Sequence, residues 1–195
     1  MKACPVYLTI DFECFQPNQW QSVGMILYDS TSDTILHQFH AACDRGLPTL
    51  ETLEFWRRHP AAFLFNQQAG QDTCLATQEH QICDFVRMVK TDYPNFYLVT
   101  DNPEYDVGLL NSLLTRHGQS VMSRRGPTTY FQSICTWSSK KTLAMLGIPI
   151  VRRTLPGLQG RGLAHTPLVD CRQVLQSYLC ILQTITQVRR CPPKI

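Results

Sequence analysis

Three mostly apolar runs open the chain, and each is bounded by polar or turn-forming residues. The runs span residues 5–13, 22–28 and 34–41 and contain many β-branched and aromatic side chains, which favour strands. Residues 29–33, between the second and third runs, are polar and typical of a turn. Three strands joined by short turns predict an antiparallel meander.

The rest of the chain combines apolar residues at helical spacing with short apolar runs. The pattern predicts five helices, at 49–59, 77–91, 102–117, 138–146 and 166–188. Two further strands are predicted at 95–100 and 128–135, and a loop at 152–162. Helix ends are marked by Pro60, Gly118 and Gly147. This order predicts an α/β fold with a mixed five-stranded sheet, a meander extended by parallel crossovers, flanked by helices.

Composition fits one folded domain over residues 1–195, with a short basic tail at about 189–195. The chain is 44% hydrophobic and 17% charged, which is typical of globular protein and excludes disorder. Nine cysteines show no C-x-x-C spacing, so a zinc ribbon or finger is not expected, and several lie in apolar runs. Without a signal-peptide core or a membrane-length run, we expect an intracellular, cytoplasmic protein with buried thiols and no membrane partner.

Basic residues are clustered, although the formal net charge is only +3. Ten of the 18 basic residues fall in five doublets. Folding can bring such doublets together into a phosphate-binding track, or leave them as solvated loop residues. The doublets are Arg57-Arg58, Arg124-Arg125, Lys140-Lys141, Arg152-Arg153 and Arg189-Arg190.

The first strand ends in two acids, Asp11 and Glu13, separated by Phe12. Strand side chains alternate, so the two carboxylates face the same way, roughly 6–7 Å apart, and Phe12 is expected to point into the core. Such a pair suits a shared hard cation such as Mg²⁺ or Mn²⁺. A D-x-E also occurs at solvated strand ends, but acids that terminate an apolar run are costly to bury unless something neutralises them.

Two more aspartates share one local pattern, in which a polar N-cap candidate precedes a proline and an Asp follows three residues later. Asp106 occupies this place in NPEYD and Asp170 in TPLVD. Both acids would therefore lie about one turn into a helix, where the helix dipole favours negative charge. They are either surface acids that compensate the dipole or members of the same site as Asp11 and Glu13.

His165 lies five residues before Asp170 and follows Gly160-Arg161-Gly162. A histidine beside a metal-binding aspartate can serve as a general base, because its pKa lies near working pH.

Together these residues resemble the DEDDh exonucleases, the DnaQ-like group of the ribonuclease H-like superfamily. The family pattern is a D-x-E on the first strand, a central Asp that opens a helix, and H-x-x-x-x-D near the end. Asp11, Glu13, Asp106, His165 and Asp170 match it in order and spacing over about 160 residues. Asn102 and Tyr105 also look like the second motif of the family, and the histidine is typical of its "h" subgroup.

The resemblance implies a 3′→5′ exonuclease that uses two divalent cations, Mg²⁺ or Mn²⁺. Asp11, Glu13 and Asp170 would ligate one cation, Asp11 would bridge to the second, Asp106 would contribute through water, and His165 would be the general base. The reaction would release nucleoside 5′-monophosphates from single-stranded 3′ ends. Many relatives are homodimers. The residues after the motif His and Asp, Thr166-Pro167 and Cys171, are larger than is usual in the family, which bears on how freely His165 moves.

Residues 52–60, TLEFWRRHP, are similar to a narrower branch of short bacterial and phage exoribonucleases, which favours RNA over DNA. Phe55 and Trp56 in this segment are either stacking residues for terminal bases or core residues of an amphipathic helix, and Trp56 is the better stacking candidate. The residues expected to contact substrate are Phe12, Trp56, Asn102, Arg124 and Arg125.

Two other functions are compatible with the same fold. One is a non-catalytic nucleic-acid-binding or scaffold protein, although such relatives usually lose one or more acids. The other is a ribonuclease H-like endonuclease, which would cut a circular substrate that an exonuclease leaves intact.

Overall fold

An antiparallel meander opens the fold, as the apolar runs predict. In the computed structural model, which describes residues 5–119, 133–150 and 163–190, the meander consists of β1 (Val6–Gln16), β2 (Gln19–Asp29) and β3 (Thr34–Ala42). β1 pairs antiparallel with β2, and β2 with β3. β1 extends beyond its predicted end at Glu13, because the apolar Cys14 and Phe15 are buried and keep the chain in the sheet.

Two short strands complete the sheet on the other side of β1. β4 (Tyr97–Thr100) pairs in parallel with β1, and β5 (Ser133–Cys135) pairs in parallel with β4. The strand order is β3-β2-β1-β4-β5, which confirms the predicted mixed five-stranded sheet and places β1 at its centre. The first residues of the strand predicted at 128–135 lie outside the described part of the chain.

The described residues contain six helices, five of them close to the predicted bounds. They are α1 (Leu50–Arg58), α2 (Pro60–Gly70), α3 (Leu75–Asp92), α4 (Pro103–Arg116), α5 (Thr136–Met145) and α6 (Pro167–Arg190). The sequence pattern does not predict α2, because Pro60 is typical of a helix end. In the structure this proline begins a new helix, where its missing N–H costs no hydrogen bond. Gly118 and Gly147 follow α4 and α5 with φ of 66°, which confirms their predicted C-cap role.

The sheet buries an apolar layer on each face. On one face Leu8, Ile10 and Phe12 of β1 pack in a cluster with residues of α3 and α4. On the other face Tyr7 of β1 packs against α6 in a cluster that includes Cys171. The alternation along β1 therefore directs its even-numbered side chains to α3 and α4, and leaves the odd-numbered ones on the face that α6 covers.

Five of the seven described cysteines are buried, which confirms the expected buried thiols for that part of the chain. Among the described helices, α6 included, none has the length and apolar character needed to cross a membrane.

Candidate active site

Asp11 and Glu13 lie on the α6 face of β1, while Phe12 points to the opposite face. The Phe12 side chain is only 4% exposed, and its ring lies against that of Trp20. Its predicted core position is confirmed, and the substrate contact expected of its side chain is wrong, because the ring is shielded from any ligand. The backbone N–H of Phe12 instead donates to Oδ1 of Asp106 at 3.0 Å, which ties the central strand to α4.

Asp106 is held between two strands by both of its carboxylate oxygens. Oδ1 accepts from Phe12 of β1, and Oδ2 accepts from the Thr100 hydroxyl, at the end of β4, at 2.5 Å. Burial raises the pKa of Asp106 to about 7, although the bonds from Thr100 and Phe12 act in the opposite direction. Asp106 is therefore a fixed member of the site and not a surface acid that compensates the helix dipole.

Gly24 allows α6 to begin directly against the sheet. It is the β2 residue paired with Asp11, and a Cβ at this position would lie 2.5 Å from the backbone carbon of Pro167. The Cys171 thiol donates to the Gly24 carbonyl at 3.1 Å. The first turn of α6, with Asp170, thus lies over the strand acids. The sequence indicates Gly24 only as a glycine inside a strand, a pattern typical of close backbone approach.

Glu13, His165 and Asp170 converge on one point. Each offers a ligand atom, and these atoms all lie within 4.8 Å of one another. Nδ1 of His165 is 3.9 Å from Oε1 of Glu13. A strand, a loop and a helix start, far apart in the sequence, are therefore brought together as the sequence predicts.

The acids repel one another in a poorly solvated place. Burial, followed by repulsion from Glu13, holds the pKa of Asp11 well above its usual range. Burial and the charges of Asp170 and Asp106 raise the pKa of Glu13 to about 8. Burial also raises the pKa of Asp170 to about 6, against a hydrogen bond from the His165 backbone. The side chains of Glu13 and Asp170 also interact by a hydrogen bond.

A hard divalent cation fits this set of donors. Oδ2 of Asp11 is buried and, among the described residues, has no hydrogen-bond partner. A buried carboxylate oxygen without a partner is unfavourable in a protein alone, and a cation would satisfy it together with Glu13 and Asp170. Oxygen donors without cysteine favour Mg²⁺ or Mn²⁺.

His165 is fixed by a residue that the sequence does not indicate. Asn66, on the unpredicted helix α2, is fully buried. Its Nδ2 donates to the His165 carbonyl at 2.9 Å, and its Oδ1 accepts from the Ser22 hydroxyl at 2.5 Å. His165 has φ of 60°, a left-handed conformation that a non-glycine residue keeps only when its surroundings impose it. Burial and the nearby His59 lower the pKa of His165, so its imidazole is neutral near pH 7.

The two aromatic residues of α1 have opposite environments. Trp56 is only 2% exposed, its Nε1 donates to the Cys14 carbonyl at 3.0 Å, and its ring packs on Phe15. The prediction that Trp56 stacks on substrate is therefore wrong, because its indole belongs to the core. Phe55 is 39% exposed, and its ring centroid lies 4.8 Å from those of His59 and His165. Phe55 is thus the aromatic side chain that borders the site.

Asn102 is exposed at the start of α4, and its side chain makes no cap hydrogen bond. Arg124, Arg125, Arg152 and Arg153 lie outside the described residues.

The sheet order, the two helical layers and four acids around the central strand define an α/β fold of ribonuclease H-like type. No protein-family model matches the chain, and no curated protein matches it in sequence. Solved structures do match in fold. The nuclease domain of 3′hExo, a DEDDh family member bound to rAMP, has a TM-score of 0.58 at 14% identity over 93% of this chain and 94% of that one.

Two further structures have the same fold. A 3′-exonuclease, solved in its recognition of the 3′ end of a histone mRNA stem-loop, gives a TM-score of 0.56 at 13% identity, over 92% of this chain and 82% of that one. Exonuclease I from Methylocaldum szegediense gives 0.50 at 15% identity, over 98% of this chain and 42% of that one. The fold implied by the sequence resemblance, that of the DEDDh exonucleases, is confirmed.

Proposed function

We propose that this protein is a metal-dependent 3′→5′ exonuclease that releases nucleoside 5′-monophosphates from single-stranded 3′ ends. The observation that carries the proposal is the convergence of Glu13, Asp170 and His165 beside the buried, unsatisfied carboxylate of Asp11. A non-catalytic nucleic-acid-binding protein does not require four acids whose pKa values are all raised by burial, so we place that alternative second.

Two divalent cations, Mg²⁺ or Mn²⁺, would be held by the acids. Asp11, Glu13 and Asp170 would hold them directly. Asp106 would act through water, since each of its oxygens already accepts a hydrogen bond from the protein. When bound, the cations would stabilise charge on the phosphoryl oxygens and lower the pKa of the attacking water.

His165 would accept the proton of that water. Its lowered pKa keeps a ring nitrogen available as an acceptor at neutral pH. Water would attack phosphorus in line with the bond to the 3′ oxygen of the preceding nucleotide. That bond breaks, the released nucleotide keeps the phosphate on its 5′ oxygen, and the shortened strand ends in a 3′-hydroxyl. Phe55, whose ring lies 4.8 Å from that of His165, would contact the terminal base, and Asn102 would contact its sugar or phosphate.

RNA is the favoured substrate. The support comes from two fold neighbours, one solved with rAMP and the other with a histone mRNA stem-loop, and from the likeness of residues 52–60 to exoribonucleases. Discrimination would depend on contacts to the 2′-hydroxyl.

Product ladders test the proposal directly. Strands of RNA and DNA labelled at the 5′ end, single- and double-stranded, are incubated with the protein and Mn²⁺. We expect a ladder that shortens by single nucleotides from the 3′ end, fastest on single-stranded RNA, with a circular strand left intact. Cleavage of the circle would identify an endonuclease instead. Absence of cleavage on every strand, with binding retained, would identify a non-catalytic binding protein.

Asn66 is expected to affect catalysis only by holding His165 in position. Asn66→Leu removes, at similar volume, the side-chain bonds of Asn66 to the His165 carbonyl, the Ser22 hydroxyl and the Ala62 carbonyl. We expect kcat to fall about tenfold with little change in KM, since the bond that holds His165 is worth about 1–1.5 kcal/mol. In a His165→Ala background the same substitution should cost nothing further. An equal loss in both backgrounds would mean that Asn66 only supports the fold.

Thr73→Val provides the matched control for Asn66→Leu. Thr73 donates its hydroxyl to the Ala42 carbonyl at 2.9 Å, so its replacement also removes a side-chain-to-carbonyl bond, but one that does not involve His165. We expect its kcat to equal that of the unmodified protein.

A further inference from the structure

Charge is unevenly distributed along the chain. Of its 15 acidic residues only Asp170 comes after position 106, whereas 12 of the 18 Lys and Arg residues do. The helices α5 and α6 belong to this second part, and apart from Asp170 neither contains an acid. Such asymmetry is typical of chains that bind nucleic acid, because one part of the surface then attracts phosphate.

The start of α5 presents an aromatic ring among these basic residues. The side chain of Trp137 is 60% exposed. Nζ of Lys141 lies 4.8 Å from the centroid of the Trp137 ring, and Nζ of Lys140 donates to the Ser177 hydroxyl on α6 at 2.8 Å. Both lysines are exposed. The Trp137 ring is therefore accessible, with the Lys141 ammonium over it and Lys140 next along the same helix.

Trp137, Lys140 and Lys141 follow β5 directly, at the same end of the sheet as the acids proposed to be catalytic. Cys135, the last residue of β5, pairs with Thr100, whose hydroxyl holds Asp106. The Cys135 thiol donates to the Asp101 carbonyl at 3.2 Å and accepts from the Ser138 N–H at 3.3 Å, so α5 begins beside the segment that leads to Asn102. β5 is two strands from β1, and strand spacing makes this about 10 Å.

α5 and α6 both begin at this end of the sheet and pack against each other. α6 begins over Gly24, which pairs with Asp11, and α5 begins at the end of β5. The contact between Lys140 and Ser177 comes further along both helices. Trp137, one turn before Lys140, therefore lies toward the end at which Asp170 enters the site. The spacing of about 10 Å between β1 and β5 corresponds to roughly three stacked nucleotides at about 3.4 Å each.

We propose that Trp137, Lys140 and Lys141 bind the single-stranded nucleic acid about three nucleotides upstream of the bond that is cleaved. Trp137 stacks on a base, and the two lysines contact the phosphates beside it. The occupant is a single strand because base faces are accessible only when the bases are unpaired, and because cations next to an aromatic ring complement the phosphates and bases of such a strand. This site rests on the proposed exonuclease function. It adds the surface along which the uncleaved part of the strand would extend from the reaction centre.

The binding test uses the whole protein in chelator, so that no strand is cut. Fluorescence anisotropy gives the affinity for labelled single-stranded RNA of two and of eight nucleotides. We expect Trp137→Ala to weaken binding of the longer strand about tenfold, the loss of one stacked base, and to leave the shorter strand unaffected. Trp137→Phe should retain most of the affinity. Lys140→Ala with Lys141→Ala should reduce the slope of log affinity against log salt by about 1.4.

Met145→Ala is the matched control, because Met145 is 80% exposed at the far end of the same helix. Its affinity for RNA should equal that of the unmodified protein. The site would be refuted by unchanged affinity for the longer strand in Trp137→Ala, or by equal losses in Trp137→Ala and Met145→Ala. A dimer in sedimentation that Trp137→Ala abolishes, without a change in RNA affinity, would assign this surface to a second copy and would also refute it. If the binding results are as expected but the protein cuts no strand when Mn²⁺ is supplied, the exonuclease function is refuted and the binding site is retained.

Discussion

Asp11→Asn is expected to abolish exonuclease activity while it stabilises the metal-free protein. The substitution keeps the shape of the side chain and removes the charge with which Asp11 would hold the cations. We expect kcat to fall at least about a thousandfold, because a bound cation is worth several kcal/mol to the transition state. Asp170→Asn should give a similar loss of activity.

The gain in stability follows from the electrostatics of Asp11. Burial and repulsion from Glu13 hold its pKa well above the usual range, so its ionised form is unfavourable in the folded chain. At pH 8 the folded chain must either hold this charge among other acids or keep the carboxyl protonated, and both cost free energy that a neutral amide does not. Asp11→Asn should therefore raise the free energy of unfolding at pH 8 in chelator by about 1–3 kcal/mol. For a domain of this size that corresponds to roughly 3–10 °C in thermal midpoint.

Asp84→Asn is the control for this pair of effects. Asp84 forms an exposed ion pair with Arg87 on α3, remote from the reaction centre. Its activity should be unchanged and its stability should differ by less than about 0.5 kcal/mol. If Asp11→Asn retains activity, Asp11 has no role as a cation ligand. If it is less stable than the unmodified protein in chelator, the unfavourable electrostatics of Asp11 are refuted.

Stability in chelator is expected to fall as pH rises from 5 to 8, and divalent cations should reverse the fall. The folded pKa is about 8 for Glu13, about 7 for Asp106 and about 6 for Asp170, all above the ordinary values of free carboxyl groups. Between those ordinary values and pH 8 the folded chain therefore binds more protons than the unfolded chain. Stability must then decrease with rising pH until the folded groups have lost their protons.

Asp11, whose pKa is also raised, adds to this fall, whereas His40, His165 and Glu79 do not. The lowered pKa values of His40 and His165 favour folding as pH rises toward their usual value, so they offset part of the fall. Burial would raise the pKa of Glu79, but the hydrogen bonds from His117 and Arg116 outweigh it and the pKa is lowered. Glu79 therefore loses its contribution only below its ordinary value, outside this window.

Differential scanning fluorimetry in EDTA at pH 5, 6, 7 and 8 measures the effect, which we expect to be on the order of a few kcal/mol over the window. Mn²⁺ or Mg²⁺ should raise the thermal midpoint more at pH 8 than at pH 5, because cations compete with protons for the same carboxylates. EDTA should abolish activity and Mn²⁺ should restore it. Asp11→Asn should flatten the profile, and a cation effect that is the same at every pH would contradict the proposed ligands.

The four acids and the sheet could be predicted because both depend on short-range patterns. A D-x-E at the end of an apolar run fixes which side chains share a strand face, and a proline at the first position of a helix fixes where Asp106 and Asp170 point. The two strand partners of β1 follow from topology rules for short connections. These features require no knowledge of the rest of the chain.

The supporting residues could not be predicted because their roles depend on distant packing. Phe55 and Trp56 are neighbours on one helix, and which of them is buried is decided by Phe15 and the Cys14 carbonyl on β1. Asn66 lies on α2, which the sequence pattern does not predict because the helix begins with a proline. Its side chain bonds to His165, a residue 99 positions away. Gly24 is required only because another helix begins above it.

The two hydrogen bonds of Asp106 also make the reaction centre dependent on the alignment of two strands. One bond comes from the backbone of β1 and the other from the last residue of β4, so both can form only when this parallel pair has its native register. A chain in which β4 slips by one residue would turn Thr100 to the opposite face and leave the buried Asp106 without one of its donors. Nuclease competence would therefore arise only after the central strands have aligned, and a partly folded chain would be unable to degrade nucleic acid.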